Sequence, residues 1–310
     1  MFVVCGEALY DVFTLEETDR GFTMDARIGG SPFNVAIGLA RLGCDVAFCA
    51  GLSSDPLGRR LERHLEAEGV DTRYVVRKDN PTTLALVALG SGGEPHYSFY
   101  GHAAADRAVT PADLPALPET VQAVHFGSFS LAVEPSGASF LDLARRSGTD
   151  KLVSFDPNIR LNVEPDAALW RQRTEAFTQI AALVKVSVED LNILFPEETP
   201  EGVIARWHAN GVQLVVVTRG SEGALVSLRG EVFEVPGRRV ETVDTVGAGD
   251  TYQAALLCGL DRLGKASKAG LVALSMAECR RLVDFAGTAA AITCTRRGAD
   301  MPHRAEVPEV

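Results

Sequence analysis

Between about residues 120 and 218 the chain repeats one unit, a short apolar run followed by a helical stretch. Strand-like runs at 123–126, 152–155, 183–186 and 214–218 alternate with helix-like segments at 136–147, 166–181, 188–195 and 201–210. Apolar strands separated by helix-length crossovers imply an α/β fold with a mostly parallel sheet covered on both faces. In such a sheet the residues that meet a ligand gather at the carboxyl ends of the strands. This rhythm therefore limits both the fold and the places where chemistry is to be sought.

The first half breaks the rhythm. Residues 2–5 read as a buried strand ending at Gly6, and Glu7-Ala-Leu-Tyr-Asp11 follows, so that strand is expected to deliver Asp11 at its end. Residues 12–28 are more polar and lack helical periodicity. A strand at 45–50 and a charged amphipathic helix at 57–69 come next. The runs 82–89 and 95–100 alternate around Gly90-Ser-Gly-Gly93 and read as a hairpin. The two insertions, about 12–28 and 82–106, are expected to form a small β-sheet projecting from a single domain over 1–310. Such an appendage suits a lid, and its open edge would favour a homodimer through the lid. After 218, residues 220–236 read as a β-meander, and a last helix is expected over 278–292.

With 30 Lys+Arg against 41 Asp+Glu the formal net charge is −11, which argues against nucleic acid or an anionic membrane surface as partner. No apolar run reaches the roughly 18 residues of a membrane span, and the first residues enter a strand with no basic leader. Six cysteines without a C-x-x-C pair read as small buried side chains of a reducing, cytoplasmic compartment, with no zinc site.

The densest motif is Asp244-Thr-Val-Gly-Ala-Gly-Asp250, which runs into a helix-compatible stretch. Gly247, Ala248 and Gly249 allow backbone amides to turn inward together beside a helix N-terminus, which makes an anion hole suited to phosphate. Asp250 then stands at its mouth, placed to take a proton from an attacking group. A plain glycine turn with Asp250 as an N-terminal cap is equally compatible with the motif alone. A second signature, Gly29-Gly30-Ser-Pro-Phe-Asn34, opens another helix, with Asn34 either a cap or a polar ligand group. The remaining strand ends carry Asp156-Pro-Asn-Ile-Arg160, Lys185-Val-Ser187-Val-Glu-Asp190 and Thr218-Arg219-Gly220-Ser-Glu-Gly223. Each has a bland reading as turn or cap, but together they describe one polar rim. A Walker sequence, a protein-kinase signature and a dinucleotide fingerprint are all missing. Phosphoryl transfer needs positioning, charge neutralisation and a base, and this rim supplies residues for each.

These residues carry a resemblance. Gly29–Ala36 and Asp244–Leu257, in that order and separation, resemble the two signatures of the ribokinase-like carbohydrate kinases, the PfkB family. Glu7–Asp11, Asp156–Arg160 and Thr293–Gly298 are similar to its fructokinase branch. The resemblance implies a Rossmann-like three-layer core with a β-sheet lid and an ATP-dependent sugar kinase using Mg²⁺. Asp250 matches the general base, and Gly247–Gly249 the anion hole. Asp11, Gly29, Gly30, Asn34, Phe99 and Arg160 match sugar-site positions. Lys185, Ser187, Thr218, Arg219, Gly220, Gly223 and Gly287 match the nucleotide side. Asp190 is implied for Mg²⁺ through water, and Asp244 with the Val246 carbonyl for K⁺. D-fructose is the favoured sugar. The alternatives are 2-keto-3-deoxygluconate, ribose or another ketose, and outside enzymes a sugar- or nucleotide-sensing protein on the same fold. Three positions depart from the pattern: Asp190 shortens the usual acid of N-x-x-E, Gly287 stands where many fructokinases carry Asn, and the lid reads Phe99-Tyr-Gly-His without the usual Arg.

Overall fold

The computed structural model describes residues 1–89 and 95–310. The first half holds β1 (Phe2–Cys5), β2 (Leu9–Thr18), β3 (Gly21–Gly29), α1 (Ser31–Arg41), β4 (Val46–Cys49), β5 (Gly51–Ser53), α2 (Pro56–Ala67) and β6 (Val76–Lys78), then β7 (Leu84–Leu89) and β8 (Pro95–Tyr100). The regular stretch runs β9 (Ala123–Gly127), α3 (Ser136–Ser147), β10 (Leu152–Asp156), α4 (Ala167–Thr178), β11 (Leu183–Ser187), α5 (Val188–Leu194), α6 (Pro200–Ala209) and β12 (Leu214–Thr218). It is followed by β13 (Gly223–Leu228), β14 (Glu231–Pro236), α7 (Ala248–Arg262), α8 (Lys268–Val272) and α9 (Met276–Cys294).

The eight-stranded sheet has the order β14-β13-β12-β11-β10-β9-β1-β4. Strands β12 through β4 are parallel, as the rhythm implies, and β13 and β14 add an antiparallel edge. The two faces differ in a way that places the site. Toward α3, α4 and α6 the side chains are apolar throughout, with Val124, Phe126, Val153, Phe155, Val184, Val186, Val215 and Val217 in one core cluster. Toward α1, α7 and α9 the amino ends are apolar, with Ala123, Leu152, Leu183 and Leu214 in the other cluster. Further along the same face, at the two-residue period of a strand, come His125, Ser154, Asp156, Lys185, Ser187 and Thr218. One face of the sheet thus turns polar toward its carboxyl edge.

Helix α7 lies on that face and is buried from Asp250 to Leu260. A helix buried nearly all round is an interior element, fixed by the sheet below and by α1 and α9 beside it, and truncating such a core leucine costs about 2–5 kcal/mol. The helices start on local signals. Asp55 accepts from the Gly58 amide with Pro56 in the first turn of α2, Thr199 and Pro200 do the same for α6, and Ser275 with Glu278 forms a capping box on α9.

A separate four-stranded sheet has the order β3-β2-β7-β8. It takes up Asp11, which corrects the expectation that β1 delivers that acid. β1 stops at Cys5, and Asp11 lies inside β2, paired with Arg27 on β3 and Ala85 on β7. Phe99 on β8 pairs with Ala85, so Asp11 and Phe99 share one face with the small Ala85 between them. β7 and β8 are antiparallel as expected, whereas the turn read at 90–93 lies outside the described residues. Leu15, Phe22, Met24 and Tyr100 of this sheet are exposed. The β5–β6 pair and α8 had no counterpart in the sequence reading. Of the cysteines, Cys44 and Cys294 are partly exposed and the other four buried. Among the described residues no helix is long and apolar enough to cross a membrane.

Candidate active site

At Gly247 the chain adopts φ 78°, in the left-handed region, and this residue is the N-cap of α7. No side chain with a Cβ fits there, because that atom would stand 2.6 Å from Ala299 Cβ. The turn is pinned on its other side by Asp244, whose carboxylate accepts from the amides of Val246 (3.1 Å) and Gly298 (2.8 Å). Ala248 differs from the expectation: its N–H donates to the Thr245 carbonyl at 3.2 Å. Among the described residues, the amides left without a protein acceptor at this helix start are those of Gly247, Gly249 and Asp250. Unpaired amides at the positive end of a helix are what an anion requires.

Asp250 is not a cap. Its Oδ1 accepts from Ser31 Oγ at 2.6 Å and its Oδ2 from Asn34 Nδ2 at 2.8 Å. Asn34 is not a cap either, since α1 starts at Gly30 without a side-chain cap. The two signatures therefore meet through these side chains. Burial pushes the Asp250 carboxyl above the ordinary range, while the Ser31 and Asn34 bonds and the charges of Lys185 and Arg160 pull the other way. The outcome is an oriented carboxylate with heightened basicity.

Beside the turn, Lys185 Nζ donates to Asp156 Oδ2 at 2.7 Å in a buried pair. Lys185 Nζ stands 3.2 Å from where a Cβ on Gly249 would be, so the ammonium faces the turn at the start of α7. Asp190 is also buried. Burial first, then the Asp156 charge, push its carboxyl up to about 6 against the pull of Arg160 and Lys185. Its Oδ1 accepts from the Ile159 amide at 3.2 Å, and Ser187 caps α5 by accepting from the Asp190 amide at 3.0 Å.

A cavity of about 500 Å³ opens beside this turn, with Asn34, Gly247 and Asp250 outside its lining. Its lining brings together Arg160, Lys185, Ser187, Asp190, Thr218, Gly220, Gly223, Ala248, Gly249 and Gly287, with Tyr252 and Val283 supplying apolar wall. Arg219 is not part of it: its guanidinium turns to Glu234 on β14, at 2.8 Å. Asp11, Gly29, Gly30 and Phe99 lie apart from that cavity, on the side of the small sheet. Burial pushes Asp11 up to about 6, with the Arg160 charge opposing, so Arg160 is shared between the two sides. Side chains at Gly29 and Gly30 would run into Asp11 Oδ2 and the Glu7 carbonyl. Phe99 meets Phe129 edge to face at 6.2 Å.

Among the described residues no cluster of three or more His, Cys, Asp or Glu forms a metal cage. A magnesium ion arriving with nucleotide phosphates needs only one or two carboxylates, and Asp190 in the cavity wall, with Asp156 behind it, fits that demand. For a monovalent cation, the Asp244 carboxylate is fixed by its two amides beside the turn, a rigid negative group compatible with such an ion.

Ser31 and the carboxylate Glu7 take part here without being singled out by the sequence. Ser31 stood inside the quoted signature, but nothing local linked it to Asp250. Asp156 belongs to the polar rim that the strand ends describe, with a turn as its bland alternative, and its pairing to Lys185 is set by the register of β10 against β11. Glu7 follows β1, and burial pushes it up to about 7. A usable signal existed: polar residues recurring with period two on otherwise apolar strands mark the α7 face.

Residues 1–305 match the pfkB family carbohydrate kinase family. A fructokinase of Rhizobium leguminosarum bv. trifolii is 38% identical over 262 residues, covering 84% of this chain and 79% of the relative. The crystal structure of a fructokinase with bound ATP from Xylella fastidiosa superposes with TM-score 0.88 at 28% identity, covering 98% of this chain and 96% of the other. A double mutant of the Vibrio cholerae O395 fructokinase, with fructose, ADP and potassium bound, gives TM-score 0.82 at 27% identity over 96% and 93%. With the match running over nearly its whole length, the chain belongs to the PfkB family of carbohydrate kinases, phosphotransferases that act on a sugar hydroxyl.

Proposed function

We propose that this kinase transfers the γ-phosphoryl group of ATP to the hydroxymethyl group of D-fructose, giving fructose 6-phosphate. The observation that carries the reading is the Asp250 carboxylate, held by Ser31 and Asn34 beside unpaired amides instead of capping its helix. The fructokinase relatives, and the fructose and ADP in the Vibrio cholerae structure, support the choice of substrates.

In this reading Asp11, Asn34 and Arg160 orient the sugar, with Phe99 over it, so that one hydroxyl points at Asp250. As the sugar oxygen bonds to the γ-phosphorus, its proton passes to Asp250 and the bond to the β–γ bridging oxygen breaks. The amides of Gly247, Gly249 and Asp250 receive the charge on the transferring group, and Lys185, held by Asp156, adds a fixed positive charge at the same place. Thr218, Gly220, Gly223 and Gly287 lie along the nucleotide, with Ser187 at its phosphate end. Magnesium, held through Asp190, would neutralise the nucleotide phosphates. Potassium at Asp244 and the Val246 carbonyl would strengthen the positive end of the turn.

The test is ADP release with MgATP against a panel of ketoses, aldoses and sugar acids, with the product identified by mass and NMR. Fructose-dependent release with phosphate on C6 supports the reading. Turnover only with sugar acids or with aldoses would overturn the choice of fructose while leaving the family intact.

A further inference from the structure

Beneath the reacting groups the α7 face of the sheet carries a buried polar chain that the reading above does not use. Gln253, one turn beyond Asp250 on α7, donates from Nε2 to Ser154 Oγ on β10 at 2.8 Å. Ser154 Oγ lies 3.2 Å from His125 Nδ1 on β9, its neighbour in register. All three side chains are at most 2% exposed, so each polar atom has to be accounted for. Since Ser154 already accepts from Gln253, the arrangement that wastes no donor has its hydroxyl donate to Nδ1. The imidazole is then neutral, with its proton on Nε2. Burial and the nearby Lys185 charge both hold it in the uncharged form, pushing its pKa down to about 3.

The Nε2 end points toward Gly127. A Cβ there would stand 3.4 Å from His125 Nε2 and 2.8 Å from the Asp156 carbonyl, and Gly127 is the register partner of Asp156. Among the described residues, the buried atoms along this face that find no protein partner are His125 Nε2, Asp156 Oδ1 and Gln253 Oε1. One donor and two acceptors are the complement of a single bridging water. The other oxygen of Asp156 holds Lys185.

We propose that a water joins these three atoms, so that His125, Ser154 and Gln253 form a polar strut reaching from α7 to the Asp156–Lys185 pair, and that His125 is a positioning residue for Lys185. The strut ties the helix that presents Asp250 to the strands that present Lys185, with a group that is polar yet uncharged. An apolar residue at 125 would leave the Ser154 hydroxyl without its acceptor, and a cationic one would repel Lys185. The inference rests on Asp250 acting as base.

The test compares kcat against pH for the wild type, His125→Leu, Ser154→Ala and His125→Gln, which keeps a neutral donor at the Nε2 end. The charged groups that depress the Asp250 pKa are Lys185 on β11 and Arg160 after β10; Ser31 and Asn34 on α1 are neutral. Loosening Lys185 raises the Asp250 pKa, so the acid limb is expected to move up by about half a pH unit, with kcat at neutral pH falling about tenfold. His125→Gln should restore the limb toward its wild-type position. A lowered kcat at every pH with an unmoved limb would mean a purely structural role, and unchanged kinetics would mean none; either overturns the strut. Ser154→Ala removes a single oxygen and keeps the test decisive if His125→Leu does not fold. A wild-type profile without an acid limb would instead remove Asp250 as base, and the strut with it.

Discussion

Replacing Gly247 by alanine probes the left-handed turn on which the proposed anion site depends. The φ of 78° costs a residue with a Cβ about 1–2 kcal/mol. The new atom would also stand 2.6 Å from Ala299 Cβ and 2.8 Å from Ala299 Cα, an overpacking cost of about 1–3 kcal/mol. The sum of about 2–5 kcal/mol corresponds, for the unfolding entropy of a chain this long, to a Tm lower by roughly 3–8 °C. The turn can relieve the clash only by moving away from Ala299, which swings the Gly247 and Gly249 amides off a bound phosphate. Losing one such donor lowers kcat about a hundredfold. Differential scanning fluorimetry and sugar-dependent ADP release measure the two effects. Ala299→Gly in the same chain should rescue only part, because the Cα at 2.8 Å remains. A Tm that falls while kcat is preserved would refute the role of these amides, and an unchanged Tm would refute the packing argument itself.

Gly249→Ala should behave oppositely in stability. The position is helical and the new methyl meets only Lys185 Nζ, at 3.2 Å, so Tm should hold or rise while kcat falls as the ammonium is displaced. Asp11→Ala should raise the sugar KM by about 10–100-fold, the value of a charged hydrogen bond, and leave the ATP KM near wild type. In the wild type, the sugar KM should climb as pH falls below about 6, where Asp11 becomes protonated and ceases to be a pure acceptor. Glu7, buried and pushed from 4.5 to about 7, favours its neutral form in the folded state. Its stabilising contribution is therefore complete below pH 4.5 and lost as pH rises through 7. Glu7→Gln should gain up to about 3 kcal/mol over the wild type at pH 8.5 and almost nothing at pH 4.5, as read by denaturant titration at the two values.

The parts of this fold that a sequence shows are those fixed by local periodicity. Apolar strands separated by helices specify the parallel sheet, and α3 begins and ends where its pattern does, at Ser136 and Ser147. The elements that escaped are short: α8 is a single turn and a half, and β5 and β6 hold three residues each, too little for any period to register. Asp11 was misplaced because strand ends are set by pairing. β1 is released at Cys5, and β2 is recruited by the small sheet, an outcome decided by β3 and β7 far along the chain. The site divides in the same way. Gly247 and Asp250 are legible because a left-handed turn and a helix start are local events. Their partners are not. Ser31 and Asn34 reach Asp250 across 219 and 216 residues, and only the packing of α1 against α7 brings them together. Lys185 and Asp156 meet through strand register, which the sequence implies without stating.

The proposed step is proton transfer from the sugar hydroxyl to Asp250, aimed by Ser31 and Asn34. Its most direct test is single-turnover phosphoryl transfer from MgATP to fructose by Asp250→Asn, an isosteric change that keeps a side chain able to bond Ser31 and removes the basicity. The transfer rate should fall by about 10²–10⁴ with fructose and ATP still bound at near wild-type affinity, whereas transfer at a rate close to wild type would remove Asp250 as the base.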